Sequence, residues 1–181
     1  MKNKIIFLLI ITIFFIFSYN IYIYYNNKHK TSKIITYIDN INSKPFKDDT
    51  LTNDYEGYIN IPSLNIKNLI KQGTKDNILN QNVVGIHKLS SDFTSKTGNI
   101  ILAGHNNNLV FKNLLNIKNN DYIYIITKNK TYKYKTFKTY KVTLNDYFYF
   151  TSPKDSKILT LITCINTNER FIVQAYEYNW T

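Results

Sequence analysis

Two residues that occur once each in this chain, Cys164 and Arg170, lie six positions apart near its end. The other 22 of the 23 lysine and arginine residues are lysine, so the single arginine indicates a position where lysine does not suffice. Its guanidinium offers a permanent charge and a planar fork of donors, which suits a carbonyl or an oxyanion. The single cysteine is a buried apolar side chain, an intermolecular link or a reactive thiol.

A histidine at the end of another predicted strand could act together with Cys164 and Arg170. His105 stands where the apolar run "NIILAG" meets the polar run "HNNN". An imidazole can take the proton of a thiol and return a proton to the leaving amine of an acyl transfer. Cys164 ends "KILTLITC" and Arg170 opens "RFIVQAYEY". Because "INTNE" between them is typical of a hairpin connection, the two side chains are expected to meet at one rim.

Short alternating strands account for most of the chain after Tyr55. Apolar residues make up 44% of the 181 residues and aromatic residues 15%, with 5 Gly and 3 Pro, which excludes a disordered chain and a repetitive fibre. Runs rich in Ile, Tyr, Thr and Val favour half-buried strands. Brief turns separate these runs, which predicts an all-β domain with a closed or nearly closed sheet. A short helix capped by Thr74 is predicted within residues 74–82.

The formal net charge of +11 raises the question of a nucleic-acid partner, because clustered lysines neutralise phosphates. The lysines are spread singly over most of the chain, and they are dense only between Lys128 and Lys141. In that segment Lys or Thr alternates with Tyr, Phe and Thr. The pattern predicts a half-buried strand with a solvated outer face, and no nucleic-acid partner is expected.

The amino-terminal segment has the composition of a membrane anchor. Residues 5–17 are almost entirely apolar, and the stretch extends to Tyr25, which is about the 20 residues that a bilayer requires. No small-residue cleavage site follows the apolar run, so an uncleaved signal anchor is favoured. The lysines on either side do not decide its orientation. The predicted organisation is a transmembrane anchor over residues 1–25, a polar linker with a short helix over 26–54, and a folded domain over 55–181.

Four segments, in this order, resemble the sortases, which are membrane-anchored cysteine transpeptidases of Gram-positive bacteria. "GYINIPSLNI" resembles the first strand pair of that family, and "TGNIILAGHN" resembles its histidine segment. "FKNLLNIKNNDYIYIIT" resembles the F-x-x-L motif followed by a strand entered through Asp, and "TLITC" resembles the T-L-x-T-C signature. The resemblance covers residues 55–178.

The resemblance implies an eight-stranded β-barrel with short helices that carries Cys164, His105 and Arg170 in one groove. Cys164 would attack the carbonyl after Thr in an LPxTG-like sorting signal and form a thioester. His105 would protonate the departing amine and later deprotonate the incoming one, while Arg170 would hold the substrate backbone and the oxyanion. Thr163 is a further candidate for contact with the oxyanion, although a β-branched residue in a strand is equally typical of a structural role.

The same resemblance implies the partners and the location. The partners would be surface proteins with LPxTG-like sorting signals, and the acceptor would be a peptidoglycan cross-bridge or a pilin lysine. The catalytic domain would lie outside a cell membrane crossed once. No cofactor or metal is expected, because the segment "NDYFYFTSPKDSK" offers only Asp146 and Asp155 for a calcium ion. The histidine segment suits class A or class D, and the loop "INTNE" is shorter than in many sortases.

Other readings of the same residues are less favoured. In papain-like proteases the cysteine precedes the histidine, which is the reverse of the order here. Peptidoglycan L,D-transpeptidases carry their cysteine just after a histidine and a glycine in one segment, which "TLITC" does not reproduce. The non-enzymatic alternative is a membrane-tethered β module that binds wall polymer or a protein partner through its Lys and Tyr surface.

Overall fold

The computed structural model describes residue 7, residues 10–26 and residues 54–178. The chain divides into two units, Met1–Asn40 and Ile41–Thr181. In the first unit, residues 10–26 form a helix, α1, with exposed side chains. Among the described residues, no helix combines the length and the apolar character needed to cross a membrane, so the predicted transmembrane helix is not supported. The predicted linker helix lies outside the described residues.

Eight strands form a closed barrel within residues 54–178, which confirms the predicted all-β barrel. The strands are β1 (Gly57–Ile61), β2 (Ile66–Gln72), β3 (Val84–Ile86), β4 (Gly98–Ala103), β5 (Tyr122–Ile126), β6 (Thr131–Thr143), β7 (Lys157–Cys164) and β8 (Glu169–Glu177). The short helices that accompany them are α2 (Asp76–Leu79) and the 3-10 helices Pro62–Leu64, Lys112–Asn116 and Phe148–Phe150.

The barrel order is β1-β2-β3-β4-β7-β8-β6-β5. Most neighbouring strands are antiparallel, but the pairs β2–β3 and β4–β7 are parallel. A parallel pair cannot be joined by a tight hairpin and requires a crossover. The first crossover contains α2, and the second contains β5 and β6. The β4–β7 pair therefore joins segments that are far apart in the chain.

Period-two alternation separates the barrel interior from its outer face. On β7, Leu159 and Leu161 pack into the main core, whereas Ile162 belongs to a second apolar cluster. On β4, Leu102 packs inside while Ile101 joins the second cluster. Because successive side chains of a strand point to opposite faces, the second cluster lies on the outside of the barrel. Its buried members are Ile101, Val142, Tyr149, Ile162 and Ile172.

The β6–β7 connection, residues 144–156, covers this outer cluster and is fastened to the barrel by Asn99. The Asn99 side chain is fully buried. Its Nδ2 donates to the carbonyl oxygens of Tyr149 at 3.0 Å and Thr151 at 3.2 Å. Its Oδ1 accepts a hydrogen bond from the Thr160 hydroxyl at 2.8 Å. One side chain thus joins β4, β7 and the connection.

The dense lysine segment forms β6 as predicted, but its outer face is not solvated throughout. Lys133 is only 8% exposed. Its ammonium lies 4.0 Å from the ring centroid of Tyr122 and 5.1 Å from that of Tyr178. Aromatic ring faces attract a cation, so neighbouring tyrosines cover a lysine that the alternation alone assigns to solvent.

The predicted helix after β2 forms, but Thr74 does not cap it. Helix α2 begins after Lys75, whose backbone is extended and whose side chain makes no capping hydrogen bond. The Lys75 carbonyl accepts from the N–H groups of Ile78 and Leu79 at 2.9 and 3.0 Å. The helix start is one residue later than predicted, and Asp76 places a negative charge in the first turn, where the helix dipole favours it.

We expect Asn99→Ala to lower the free energy of unfolding by about 2–3 kcal/mol, because buried polar partners lose their hydrogen bonds. Urea denaturation of the variant and the wild type measures the difference. Asn129→Ala, in the exposed turn between β5 and β6, is the matched control and should change stability by less than about 0.5 kcal/mol. Equal stability of the two variants would contradict the role assigned to Asn99.

Candidate active site

Cys164 and Arg170 are directly paired across β7 and β8. By the alternation of their strands they share the outer face with Ile162 and Ile172. Directly opposite residues of an antiparallel pair have Cβ atoms about 4.5–5.5 Å apart. The thiol and the guanidinium therefore start from neighbouring positions on one face, and the predicted hairpin is present.

The turn between β7 and β8 is held by its own hydrogen bonds. The Ile165 N–H donates to the Glu169 carbonyl at 3.0 Å. Asn166 Oδ1 accepts from the N–H groups of Asn168 and Glu169, each at 2.9 Å, and Asn166 Nδ2 donates to Glu169 Oε2 at 2.6 Å. This asparagine turn fixes the spacing of the two strand ends.

His105 lies on the other side of Cys164, just beyond the end of β4. The parallel register pairs Ala103 with Ile162. The pairing continues past the strand, because the Gly104 N–H donates to the Ile162 carbonyl at 3.0 Å. Two positions beyond Ala103 and Ile162 stand His105 and Cys164. The register thus places His105, Cys164 and Arg170 next to one another in one row across β4, β7 and β8.

Thr163 joins the histidine turn to the cysteine strand. It faces the opposite side of β7 from Cys164 and is 1% exposed. Its hydroxyl donates to the Gly104 carbonyl at 2.9 Å. The side chain predicted as a candidate contact of the oxyanion is thereby engaged with the backbone immediately before His105.

The turn after β4 has a fixed course because Gly104 leaves no space for a side chain. A Cβ atom at this position would lie 2.7 Å from side-chain carbons of Val110 and Phe111. The His105 carbonyl accepts from the N–H groups of Asn107 and Phe111 at 2.9 and 3.0 Å. Packing against a glycine and these backbone hydrogen bonds set the direction in which His105 leaves the strand.

Two asparagines beyond α2 contact the histidine turn. Asn80 Oδ1 lies 3.0 Å from His105 Nε2, and Asn107 Nδ2 donates to Asn82 Oδ1 at 3.1 Å. An amide oxygen only accepts, so in this contact Nε2 is the donor. Sequence reasoning missed Asn80, because nothing in the spacing of "NILNQN" links it to a residue 25 positions away.

The Arg170 charge is not neutralised within the described part of the chain. No described carboxylate forms a salt bridge with it, and its Nη1 donates only a long hydrogen bond of 3.4 Å to the Glu169 carbonyl. Burial raises the pKa of Tyr149, and the Arg170 charge opposes that rise. The positive charge of the guanidinium is therefore close enough to affect Tyr149, which belongs to the outer apolar cluster.

His87, for which the sequence suggested no partner, stacks on the β6–β7 connection. It follows β3, and its backbone N–H donates to the Ile101 carbonyl at 2.9 Å. Its ring lies 4.7 Å from that of Phe150 with an interplanar angle of 17°. Nδ1 accepts from the Leu89 N–H at 3.2 Å. Burial, with a smaller contribution from the Lys88 charge, lowers the pKa of His87, so the ring is neutral at pH 7.

The row has the groups that thioacyl chemistry requires. The Cys164 thiol is free and partly exposed, with an imidazole on one neighbouring strand end and an unneutralised guanidinium on the other. The adjoining apolar side chains exclude water from one side, where electrostatic interactions are stronger. Among residues 54–178, no three His, Cys, Asp or Glu side chains converge in a way that could hold a metal ion.

Comparison with known proteins gives one family. The family model described as the sortase domain matches residues 59–178. A Clostridium perfringens sortase D5 transpeptidase aligns with a TM-score of 0.64 and 25% identity over 70% of this chain and 80% of its own. Sortase C1 of Streptococcus agalactiae aligns with a TM-score of 0.67 and 26% identity over 77% and 74%. A comparison with curated protein sequences gives no match.

We expect the NMR titration of the His87 ring to have its midpoint below the ordinary value of 6.5. Because the folded protein binds this proton less tightly than the unfolded chain, the contribution of neutral His87 to stability is complete above pH 6.5. It is lost as the pH falls from 6.5 to the folded-state pKa. Urea denaturation at pH values across this window should show His87→Phe, which keeps a stacking ring, less sensitive to acid than the wild type. A midpoint above 6.5 would contradict the described environment.

Proposed function

Because the chain belongs to the sortase family and is thus a cysteine transpeptidase, we propose that Cys164, His105 and Arg170 are its nucleophile, acid or base and oxyanion group. The observation that supports these assignments is the register of β4, β7 and β8. It pairs Cys164 with Arg170, and the Gly104 N–H extends the β4–β7 pairing toward His105.

In the first half-reaction the Cys164 thiolate attacks the carbonyl carbon after Thr in an LPxTG-like sorting signal. Negative charge develops on the carbonyl oxygen, and the Arg170 fork stabilises it by charge-assisted hydrogen bonds. The carbon–nitrogen bond then breaks, and the departing amine takes a proton from the protonated ring of His105. Nδ1 is the nitrogen that exchanges this proton, since Nε2 is engaged with Asn80. The product is a thioester on Cys164.

In the second half-reaction an amine attacks the thioester carbonyl. His105 takes the proton that the incoming nitrogen loses, the new amide bond forms, and Cys164 leaves as the thiolate. Arg170 again holds the oxyanion. At the end of the cycle each group has the protonation state with which it began. The proposed acyl transfer therefore needs only these residues and the two substrates.

The substrates we propose are surface proteins with an LPxTG-like sorting signal, and the acceptor is a peptidoglycan cross-bridge or a pilin lysine. Ala103 supports a peptide substrate, because it is a partly buried apolar residue at the edge of the outer cluster, two positions before His105. Burial of apolar side chains of a sorting motif there would favour binding by about 25 cal/mol for each Å² of apolar surface removed from water.

We also propose that the catalytic domain acts outside the cell, at a membrane crossed once by the amino-terminal segment. The support comes from composition: residues 5–17 are almost wholly apolar, and lysines flank the stretch. Fractionation of cells that express the full chain, followed by protease treatment of intact cells, tests this location.

We expect Cys164→Ala to abolish the thioester adduct and the transfer of LPxTG-like peptides to triglycine. His105→Ala should lower kcat/KM by about 10²–10⁴-fold, because it removes general acid and base catalysis. Arg170→Lys should lower it by about 10²-fold or more, because lysine keeps the charge and loses the fork. Mass spectrometry of residues 53–181 with a peptide panel measures adduct and product.

Lys141→Gln, an exposed change on β6, is the control and should retain full activity. If no peptide of the panel forms an adduct and the Cys164 thiol is slow to react with alkylating reagents, the transpeptidase proposal fails. Undiminished activity of Arg170→Lys would refute the role given to the arginine fork.

Thr163→Val tests whether this residue acts on the oxyanion or through Gly104. Because its hydroxyl bonds the Gly104 carbonyl, we expect kcat to fall about tenfold and the free energy of unfolding to fall by about 1 kcal/mol. Thr163→Ser keeps the hydroxyl and should restore both quantities. A loss of activity without any loss of stability would instead indicate direct contact with the oxyanion.

A further inference from the structure

A recess lies on the outer face of the barrel, against the β6–β7 connection. It has a volume of about 230 Å³ and is open to solvent on one side. Two pairs of stacked rings line it. Phe137 and Tyr176 have centroids 4.0 Å apart, and Tyr140 and Phe148 have centroids 5.4 Å apart. Ile158 of β7 also lines the recess, which we call the aromatic pocket.

Large apolar surfaces in this pocket remain open to solvent. Tyr176 is 49% exposed and Phe148 is 56% exposed. Ring faces gathered in a recess, rather than scattered over a surface, indicate a site for a partner. The ring faces suit another aromatic ring, which packs offset or edge to face against them.

Polar groups at the same pocket suit a peptide backbone. Lys138 and Gln174, which are paired across β6 and β8, both line it. So do Thr151 and Ser156 of the connection. An amide and two hydroxyls can donate to and accept from peptide groups, and Lys138 can attract an acidic residue. The volume suits one side chain and not a larger ligand.

The aromatic pocket and Cys164 lie on the same face of the same strand. Ile158 and Cys164 are six residues apart on β7 and both point outward. At about 3.3 Å per residue, the separation is about 20 Å. An extended polypeptide advances about 3.3–3.6 Å per residue, so about six residues span this distance, and a path around the connection needs a few more.

We propose that the aromatic pocket binds an aromatic side chain of the polypeptide being sorted, about six to nine residues before the bond that is cleaved. This inference rests on the proposed function. The upstream part is favoured because it stays attached to Cys164 throughout the life of the thioester, whereas the downstream part leaves in the first half-reaction. A contact with the upstream part therefore contributes to both half-reactions.

Matched peptides test this inference. Each pair shares an LPxTG-like motif that the protein cleaves and differs only in Phe or Ala at one position. Three pairs are compared. They place the Phe or Ala next to the motif, about seven residues upstream of it, and about fifteen residues upstream of it. We expect kcat/KM for the Phe peptide to exceed that of its Ala partner about tenfold at the middle distance only, as one well-buried ring provides.

Two variants alter the pocket in opposite ways. Ser156→Phe should fill it, while the Ser156 carbonyl that accepts from the Gly98 N–H is retained. Tyr176→Ala should remove one wall. In both variants, the ratio of kcat/KM for the Phe peptide to kcat/KM for the Ala peptide should fall to about one. Neither variant should change kcat/KM for a short peptide that does not reach the pocket. Leu144→Ala, an exposed apolar residue of the same connection that does not line the pocket, should keep the tenfold ratio.

Binding to the Cys164→Ala variant separates this inference from the proposed function. Fluorescence anisotropy of the labelled Phe peptide should show tighter binding than the Ala peptide, and Ser156→Phe should abolish the difference. The inference would be overturned if the wild type cleaved the Phe and Ala peptides with equal kcat/KM at every position tested. It would also be overturned if the protein preferred Phe downstream of the cleaved bond. Displacement by chitotetraose without any preference for Phe would overturn it as well, and would identify a glycan site. If no peptide is cleaved, the proposed function fails, and anisotropy alone decides on the pocket.

Discussion

The candidate active site depends on the parallel pairing of β4 with β7. Two hydrogen bonds extend this pairing past the end of β4, from the Gly104 N–H to the Ile162 carbonyl and from the Thr163 hydroxyl to the Gly104 carbonyl. With them, the histidine and Cys164 occupy equivalent places on adjacent strands, and Arg170 follows from the next hairpin.

The outer apolar cluster serves stability and the site at once. Ile162 and Ile172 are the residues two positions away from Cys164 and Arg170 on the same face, so the surface beside the row is held by strand packing. Asn99 and His87 fasten the β6–β7 connection over this cluster from two sides. A lysine in place of Arg170 would carry its charge on a strongly hydrated ammonium, which is poorly suited to a position beside apolar side chains.

Local sequence patterns predicted the parts and not their pairing. The ends of β4 and β7 and the start of β8 were readable from apolar runs that stop at polar turns, and so were the three candidate residues. The pairing of β4 with β7 joins distant segments and was not predicted; the family resemblance implied only that the three residues share one groove. Asn80 and the burial of Lys133 could not be predicted, because each depends on a neighbour from a distant segment. The transmembrane helix was predicted from composition and is not supported within the described residues.

The asparagine turn between β7 and β8 has a consequence for the entropy of binding. Fixing one residue of a mobile loop costs about 1–2 kcal/mol, and a long loop beside the nucleophile would incur this cost each time it closed on a peptide. Here Asn166 already bonds Asn168 and Glu169 in the free protein. The turn is ordered before the substrate arrives, so the free energy of each new contact is available for affinity.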